Sequence, residues 1–247
     1  MQIPAVLRPC NEKTSRFRGG FTLVELLVVI VLVGTLTTLA AVGIRGGITA
    51  SRQAASSMNL RNIGVALQSF ADDHNGVYPE TTHSTGLAGA WIYSLERYLG
   101  EFDEVRICPA DPRGKERLEA RGSSYILNSY IFVPMVGPFG QPTGPKLNRP
   151  NAIPQPERTI LAFICSDRMG VGPGNDHTHS QLWKSWSAVC EDIAPDRFGG
   201  DGKNRAKGRS VYLHVDGSVV AIPAAELKQR TESGINIAKP PGVSGLP

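Results

Sequence analysis

The stretch that decides the architecture is residues 19–44, which read GGFTLVELLVVIVLVGTLTTLAAVGI. After the two glycines come 24 residues, 21–44, with no proline and a single charged side chain, Glu25. A helix of this length measures about 36 Å at about 1.5 Å per residue, and the hydrocarbon core of a membrane is about 30 Å thick. The composition therefore predicts a transmembrane helix over residues 21–44.

Glu25 is an unusual residue for such a helix. A carboxylate at the centre of a bilayer costs about 2.5–3.5 kcal/mol on insertion scales, so a charge inside an apolar run is expected to have a cationic partner. Ahead of the run, residues 1–20 are polar and carry a net charge of +3, from four basic side chains against Glu12. This polar segment ends at Gly20, directly against the apolar block.

The junction reads RGGFTLVELLVVI at residues 18–30 and closely resembles the prepilin signature of type IV pilins and type II secretion pseudopilins. The resemblance implies that residues 1–20 are a leader, which a prepilin peptidase removes by cutting between Gly20 and Phe21. It also implies methylation of the new N-terminus on Phe21, and it places the family's fifth-position glutamate on Glu25. A secretory signal cut at the small residues 41–43 is the alternative, although such signals usually have an apolar core of only about 7–15 residues.

Cleavage would create a cationic amine on Phe21, and this amine is a partner for the Glu25 carboxylate of a neighbouring subunit. Such a pair would set the register of stacked subunits while their apolar helices pack together. Small residues, which let membrane helices approach closely, occur at Gly34, Thr37, Thr38, Ala40 and Ala41. The expected partners are the prepilin peptidase, the membrane, and other pilin or pseudopilin subunits in a homo- or heteropolymer.

A helical pattern continues over residues 45–76, beyond the apolar block. Apolar side chains recur there at spacings of three and four, which is the spacing of one helix face. These side chains are Leu60, Ile63, Leu67 and Phe70. Asn75-Gly76 follows as a stop signal. The pattern predicts one long helix whose second, amphipathic half packs on a soluble head.

The segment after the apolar block also suggests a subgroup. Residues 51–79, SRQAASSMNLRNIGVALQSFADDHNGVYP, resemble the N-terminal region of the pseudopilin-G-like proteins of planctomycetes. Members of that group often carry a histidine ahead of an Asp-Gly pair near the C-terminus. Here Asp216-Gly217 is present, but the position ten residues before Asp216 is Ala206, so a role attached to that histidine is not transferred to this chain.

Residues 77–231 are predicted to form a globular head. Runs of β-forming residues indicate strands over 124–133 and 159–164. The run 210–222 indicates a hairpin with Asp216-Gly217 as a two-residue type I′ turn. Segments rich in glycine and proline between these runs indicate long loops.

Two groups of side chains are candidate metal ligands. His177 and His179 lie beside Asp176, and imidazole with carboxylate suits zinc; a solvent-exposed loop is the favoured interpretation, because no third histidine is close in sequence. The second group consists of Asp192, Asp196 and Asp201. Carboxylate oxygens suit calcium, and some pseudopilins bind calcium in a C-terminal loop, although this spacing is not a recognised calcium loop. No cofactor is expected, with calcium as the one candidate.

Composition argues against several other functions. No GxSxG, P-loop, dinucleotide-glycine or HExxH pattern occurs, so no enzymatic activity is predicted. The net charge of +4 belongs mostly to the leader: without residues 1–20, 22 basic and 21 acidic side chains remain, so no nucleic-acid partner is expected.

Removing the leader also leaves three cysteines, which allow at most one internal disulfide. Its pairing stays open among Cys108, Cys165 and Cys190.

Together these features predict an α+β, pilin-like fold: a long N-terminal helix, half in the membrane and half soluble, packed on an antiparallel β-sheet head with long loops. Residues 232–247 are predicted to be a disordered tail. The predicted function is a structural subunit of a type II secretion pseudopilus or type IV pilus-like filament, held in the cytoplasmic membrane with its head outside the cytoplasm. The alternative is a membrane-anchored periplasmic binding or enzymatic domain exported by the prepilin route.

Overall fold

The computed structural model describes residues 20, 22–86, 89–100, 102–141, 143–244 and 246, without the side chains of residues 39–43. The chain divides into two units, residues 1–45 and residues 46–247. Most of the predicted leader and the predicted methylation site, Phe21, lie outside the described residues.

Helix α1 runs from Leu23 to Asp73, a total of 51 residues. It ends where the sequence predicts, because Asn75 and Gly76 adopt φ angles of 56° and 76°. The amide of Gly76 donates a hydrogen bond to the carbonyl of Ala71 at 2.7 Å. This left-handed cap satisfies a carbonyl of the last helical turn.

The membrane span predicted over residues 21–44 includes Phe21 and the side chains of residues 39–43, which lie outside the description. Among the described residues, no helix combines the length and the hydropathy required to cross a membrane.

The second unit combines short helices with a four-stranded antiparallel sheet. Its helices are α2 (Thr82–Thr85), α3 (Trp91–Ser94), α4 (Phe102–Val105), α5 (Gly114–Glu119), α6 (Ser129–Phe132), α7 (Trp186–Asp192) and α8 (Ala224–Glu232). Short 3-10 turns cover Glu96–Tyr98, Pro150–Ala152, Pro156–Arg158 and Ser180–Leu182. The strands are β1 (Tyr125–Leu127), β2 (Ile160–Ile164), β3 (Arg209–His214) and β4 (Val219–Pro223). They lie in sequence order, each antiparallel to the next, and the predicted α+β class is confirmed.

The second half of α1 packs against one face of the sheet. A Cβ atom at Gly64 would lie only 2.9 Å from Leu213 Cδ1 on β3, so helix and strand approach closely here. The predicted apolar face of the helix faces the core. Its members Leu60, Ile63 and Leu67 have no exposed surface, and Phe70 is half-buried.

The other face of the sheet is covered by aromatic packing. Ala162 pairs with Leu213, so Phe163 points to the side away from α1, since successive strand residues alternate between faces. Phe163 makes edge contacts with the rings of Trp183 and Tyr212, at centroid distances of 5.6 and 5.9 Å. At β2 the sheet is therefore buried on both faces, which explains why this strand reads as a continuous apolar run.

The strand predicted over 124–133 is shorter than expected. It ends at Leu127, and α6 begins immediately after Asn128. The side chain of Asn128 accepts a hydrogen bond from the amide of Tyr130 at 3.1 Å. Because this cap competes with continued strand pairing, the β-forming residues that follow are helical.

The predicted hairpin over 210–222 is present as β3 and β4, but its turn differs from the prediction. The amide of Gly217 donates to the carbonyl of His214, and the amide of His214 donates to the carbonyl of Ser218. Of the two predicted turn residues, Gly217 alone has a positive φ, 82°. The connection is therefore a three-residue loop with glycine in the left-handed position, and not a two-residue type I′ turn.

The C-terminal tail, predicted to be disordered over 232–247, packs against the head. Ala238 and Leu246 are buried, at 1% and 9% exposure. The side-chain amide of Asn128 donates to the carbonyl of Ala238 at 2.7 Å. This segment is rich in glycine and proline, yet tertiary contacts hold it in place. Such contacts cannot be recognised from a local sequence pattern.

Candidate functional site

The start of α1 contains a reciprocal hydrogen-bonding motif. The amide and the hydroxyl of Thr22 each donate to Glu25 Oε2 at 2.8 Å. In return, the amide of Glu25 donates to Thr22 Oγ1 at 3.2 Å. This is a capping box, in which Thr22 and Glu25 satisfy donors of the first helical turn.

The capping box is a structural feature that the sequence reasoning missed. Its signal was available, since a threonine followed three residues later by a glutamate, ahead of an apolar run, marks a helix start. Glu25 is exposed, so its carboxylate stays open to a second partner. Thr22 adjoins Phe21, so the motif holds this carboxylate near the predicted mature N-terminus.

The predicted cleavage junction is only partly described. Gly20 is exposed, and a Cβ atom added there would meet nothing within 4 Å. Phe21, the predicted methylation site, lies outside the described residues. Within the described part of the chain, therefore, no packing contact requires glycine at position 20.

The helix after the capping box is apolar on every side. The large apolar side chains between Leu23 and Leu36 are all exposed, by 47% to 86%. A helix that is hydrophobic all round is expected to be buried by lipid or by other helices. In and just after this segment, the hydroxyls of Thr35, Thr37 and Thr38 donate to helix carbonyls three or four residues earlier.

In the head, Asp176 connects a histidine to helix α2. Its Oδ1 atom lies 2.6 Å from His177 Nδ1. The same carboxylate accepts hydrogen bonds from the amide and the hydroxyl of Thr82, at 2.9 and 3.0 Å. The backbone of His177 also forms an isolated parallel bridge with Leu127 of β1. The sequence prediction placed Asp176 as a metal ligand, whereas its oxygens hold the imidazole and the helix.

A second carboxylate holds the second predicted histidine. Asp192 accepts a hydrogen bond from the amide of His179 at 2.6 Å, and its Oδ1 atom lies 3.2 Å from His179 Nδ1. Trp183 Nε1 donates to the same carboxylate at 2.7 Å. The hydrogen bond to Asp192 raises the pKa of His179 above its ordinary value.

A third imidazole, which the sequence did not indicate, completes this cluster. The ring of His83 on α2 lies 4.6 Å from that of His177 between centroids, and the rings of His177 and His179 are 5.4 Å apart. Burial and then the nearby His177 lower the pKa of His83. Within the described part of the chain, no three His, Cys, Asp or Glu side chains meet at metal-ligand distance as they stand.

The three candidate calcium ligands are engaged separately. Asp192 is held by His179 and Trp183, as described above. Asp196 pairs with Arg205 at 3.0 Å, and Asp201 pairs with Lys207 at 3.0 Å. The structure therefore gives each carboxylate its own partner and does not gather the three around a common point.

Three cysteines are unpaired and buried. These are Cys108, Cys165 and Cys190. Burial raises the pKa of Cys165 to about 12 and that of Cys190 to about 11. Cys108 Sγ lies 2.9 Å from Ser56 Oγ on α1. The disulfide that three cysteines allow is thus not formed in this structure.

Comparison with known proteins bears on the N-terminal segment. A family model described as the prokaryotic N-terminal methylation motif matches residues 15–41. This range contains Gly20, Phe21 and Glu25, and it supports an exported subunit of the type IV pilin and pseudopilin kind. The pseudopilin-G-like subgroup is not confirmed. No curated protein and no solved structure matches the chain.

Proposed function

We propose that this chain is a structural subunit of a type II secretion pseudopilus or type IV pilus-like filament. It is matured by a prepilin peptidase that cuts between Gly20 and Phe21, and the new N-terminus is methylated. The observation that carries the proposal is the match of residues 15–41 to the N-terminal methylation motif. The apolar surface that begins at Leu23, three residues after the cleavage point, supports it.

The exposed surface of α1 between Leu23 and Leu36 supports assembly in a membrane. Apolar surface of this extent needs lipid or neighbouring helices to cover it. The hydroxyls of Thr35, Thr37 and Thr38, in and just after this segment, donate to carbonyls of their own helix. These bonds lower the cost of placing polar groups in hydrocarbon. We propose that this segment anchors the subunit in the cytoplasmic membrane, with the head outside the cytoplasm, and packs with other subunits in the filament.

The role proposed for the chain is assembly and not catalysis. Subunit contacts of this kind need apolar packing and one charge pair, and no cofactor. The exposed carboxylate of Glu25 supports that pair, because the capping box holds it beside the residue that becomes the mature N-terminus. The partner is the methylated amine on Phe21 of a neighbouring subunit.

The proposal is tested by N-terminal sequencing and intact mass of the protein recovered from membranes. The expected product begins at Phe21 and carries one methyl group. Gly20→Ala should still be cut in part, whereas Gly20→Val should accumulate as precursor. Because no described atom lies within 4 Å of a Cβ position at Gly20, neither change meets a described packing contact, and Gly20→Ala is the matched control. A mature chain that begins at residue 42 or later would overturn the proposal.

A further inference from the structure

We propose that His83, His177 and His179 form a binding site for one zinc-type divalent metal ion in the head. The three imidazoles come from two segments that are far apart in the sequence, and the hydrogen bonds from Thr82 to Asp176 join them across 94 residues. The inference goes beyond filament assembly and does not depend on it.

The orientation of the His177 and His179 rings supports a metal site. The carboxylate of Asp176 is hydrogen-bonded to Nδ1 of His177, and that of Asp192 to Nδ1 of His179. A carboxylate on one imidazole nitrogen is the usual support of a metal-binding histidine, since it fixes the ring and leaves the other nitrogen free to ligate. Both histidines therefore offer Nε2 as the ligand atom.

The state of His177 supplies an independent observation. Its side chain is 6% exposed, and among the described residues Nε2 has no hydrogen-bond partner. A buried polar atom is nearly always satisfied by protein, water or an ion. A metal ion bound at Nε2 would satisfy this atom, and an imidazole site suits zinc and similar first-row metals.

The spacing of the rings agrees with a shared ion. Imidazole nitrogen lies about 2.0–2.1 Å from zinc, so two rings on one tetrahedral ion have centroids about 5 Å apart. The observed distances from His177 to His83 and His179 are 4.6 and 5.4 Å. The described side chains do not meet at ligand distance as they stand. Binding therefore requires the exposed rings of His83 and His179 to shift toward the buried His177 while Asp192 keeps its contact with Nδ1 of His179, with water as the fourth ligand.

The experiment titrates Zn²⁺ into the full-length mature chain in detergent and follows it by calorimetry. A parallel titration with Co²⁺ monitors visible absorption, which reports coordination geometry. We expect one ion per chain and a tetrahedral Co²⁺ spectrum. His83→Gln and His179→Gln should each weaken binding at least ten-fold. Both side chains are exposed, so the fold should be retained, and circular dichroism checks this.

The chain provides a matched control in His74→Gln. This histidine follows the last residue of α1 and stacks on Phe70, it is not among the ring contacts of the cluster, and its substitution should leave the affinity unchanged. The inference is overturned by any of three results: an absence of Zn²⁺ binding, equal affinity of His83→Gln and the unsubstituted chain, or an equal loss in His74→Gln. The last result would indicate adventitious binding at surface histidines only. None of these results affects the site of N-terminal cleavage.

Discussion

At the scale of single residues, the carboxylate of Glu25 serves two purposes that substitution can separate. Glu25→Gln keeps the capping box, because glutamine also accepts at this position, but it removes the negative charge. We expect this variant to be cleaved and membrane-bound, yet incorporated into filaments at least ten-fold less well than wild type. Filament pull-down beside the membrane fraction measures both properties.

The complementary variant is Thr22→Ala, which removes the cap and keeps the charge. Loss of an N-cap costs about 1 kcal/mol of helix stability, a small penalty for a helix of 51 residues. Thr22→Ala should therefore enter filaments nearly normally. If Thr22→Ala fails to assemble while Glu25→Gln succeeds, Glu25 acts as a helix cap and not as a partner for the amine of Phe21.

The buried cysteines give a second prediction at this scale. A maleimide reagent added at pH 7 should leave the native mature chain unmodified, since Cys108, Cys165 and Cys190 are buried. Raising the pH to 9 should change little, because the pKa values near 12 and 11 of Cys165 and Cys190 keep both thiols protonated. In denaturant, three groups should react in the mature chain and four in the precursor, which retains Cys10. A single reactive thiol in the denatured mature chain would indicate a disulfide.

At the scale of elements, the contact between α1 and β3 depends on a glycine. Gly64→Val would place side-chain atoms against the buried Leu213 and should destabilise the head by about 1–3 kcal/mol through overpacking. The matched control is Gly47→Val, in the same helix but with nothing within 4 Å of its Cβ position. Thermal or urea unfolding of both variants measures the difference. Equal stabilities would show that the helix does not approach the strand so closely.

A single buried amide joins strand, helix and tail. Asn128 donates to the carbonyls of Ile160 and Ala238 and accepts from the amide of Tyr130. Asn128→Ala leaves these groups without partners and should cost about 1–3 kcal/mol for each buried group left unsatisfied. It should also release the tail, so that carboxypeptidase removes residues 239–247 faster. A tail that stays resistant in this variant would mean that other contacts hold it.

Local signals predicted part of this architecture well. The end of α1 follows from Asn75-Gly76, and β2 follows from a short apolar run, because backbone angles and burial decide both within a few residues. The break at Asn128 was missed, since a capping side chain outweighed the β-propensity of its neighbours. The histidine cluster could not be assembled from the sequence, because His83 and His177 meet only through the tertiary fold.

At the scale of the whole molecule, the proposed topology makes a prediction about access. The leader's net charge of +3 favours a cytoplasmic N-terminus, whereas Arg45, Arg52 and Arg61 on the other side of the apolar block oppose this bias. Protease added to intact spheroplasts should digest the head and spare a cytoplasmic marker protein. A head that is digested only after lysis would contradict the proposed orientation.

The three unpaired cysteines have a further consequence for a head proposed to lie outside the cytoplasm. Compartments there oxidise accessible thiols, and the burial that shields Cys165 next to β2 exists only once the sheet has closed. Each newly exported chain must therefore complete folding before an oxidant reacts with its exposed thiols. Variants that fold slowly would be lost to cross-linked by-products even when their final stability is normal, so yield in the envelope would follow the folding rate.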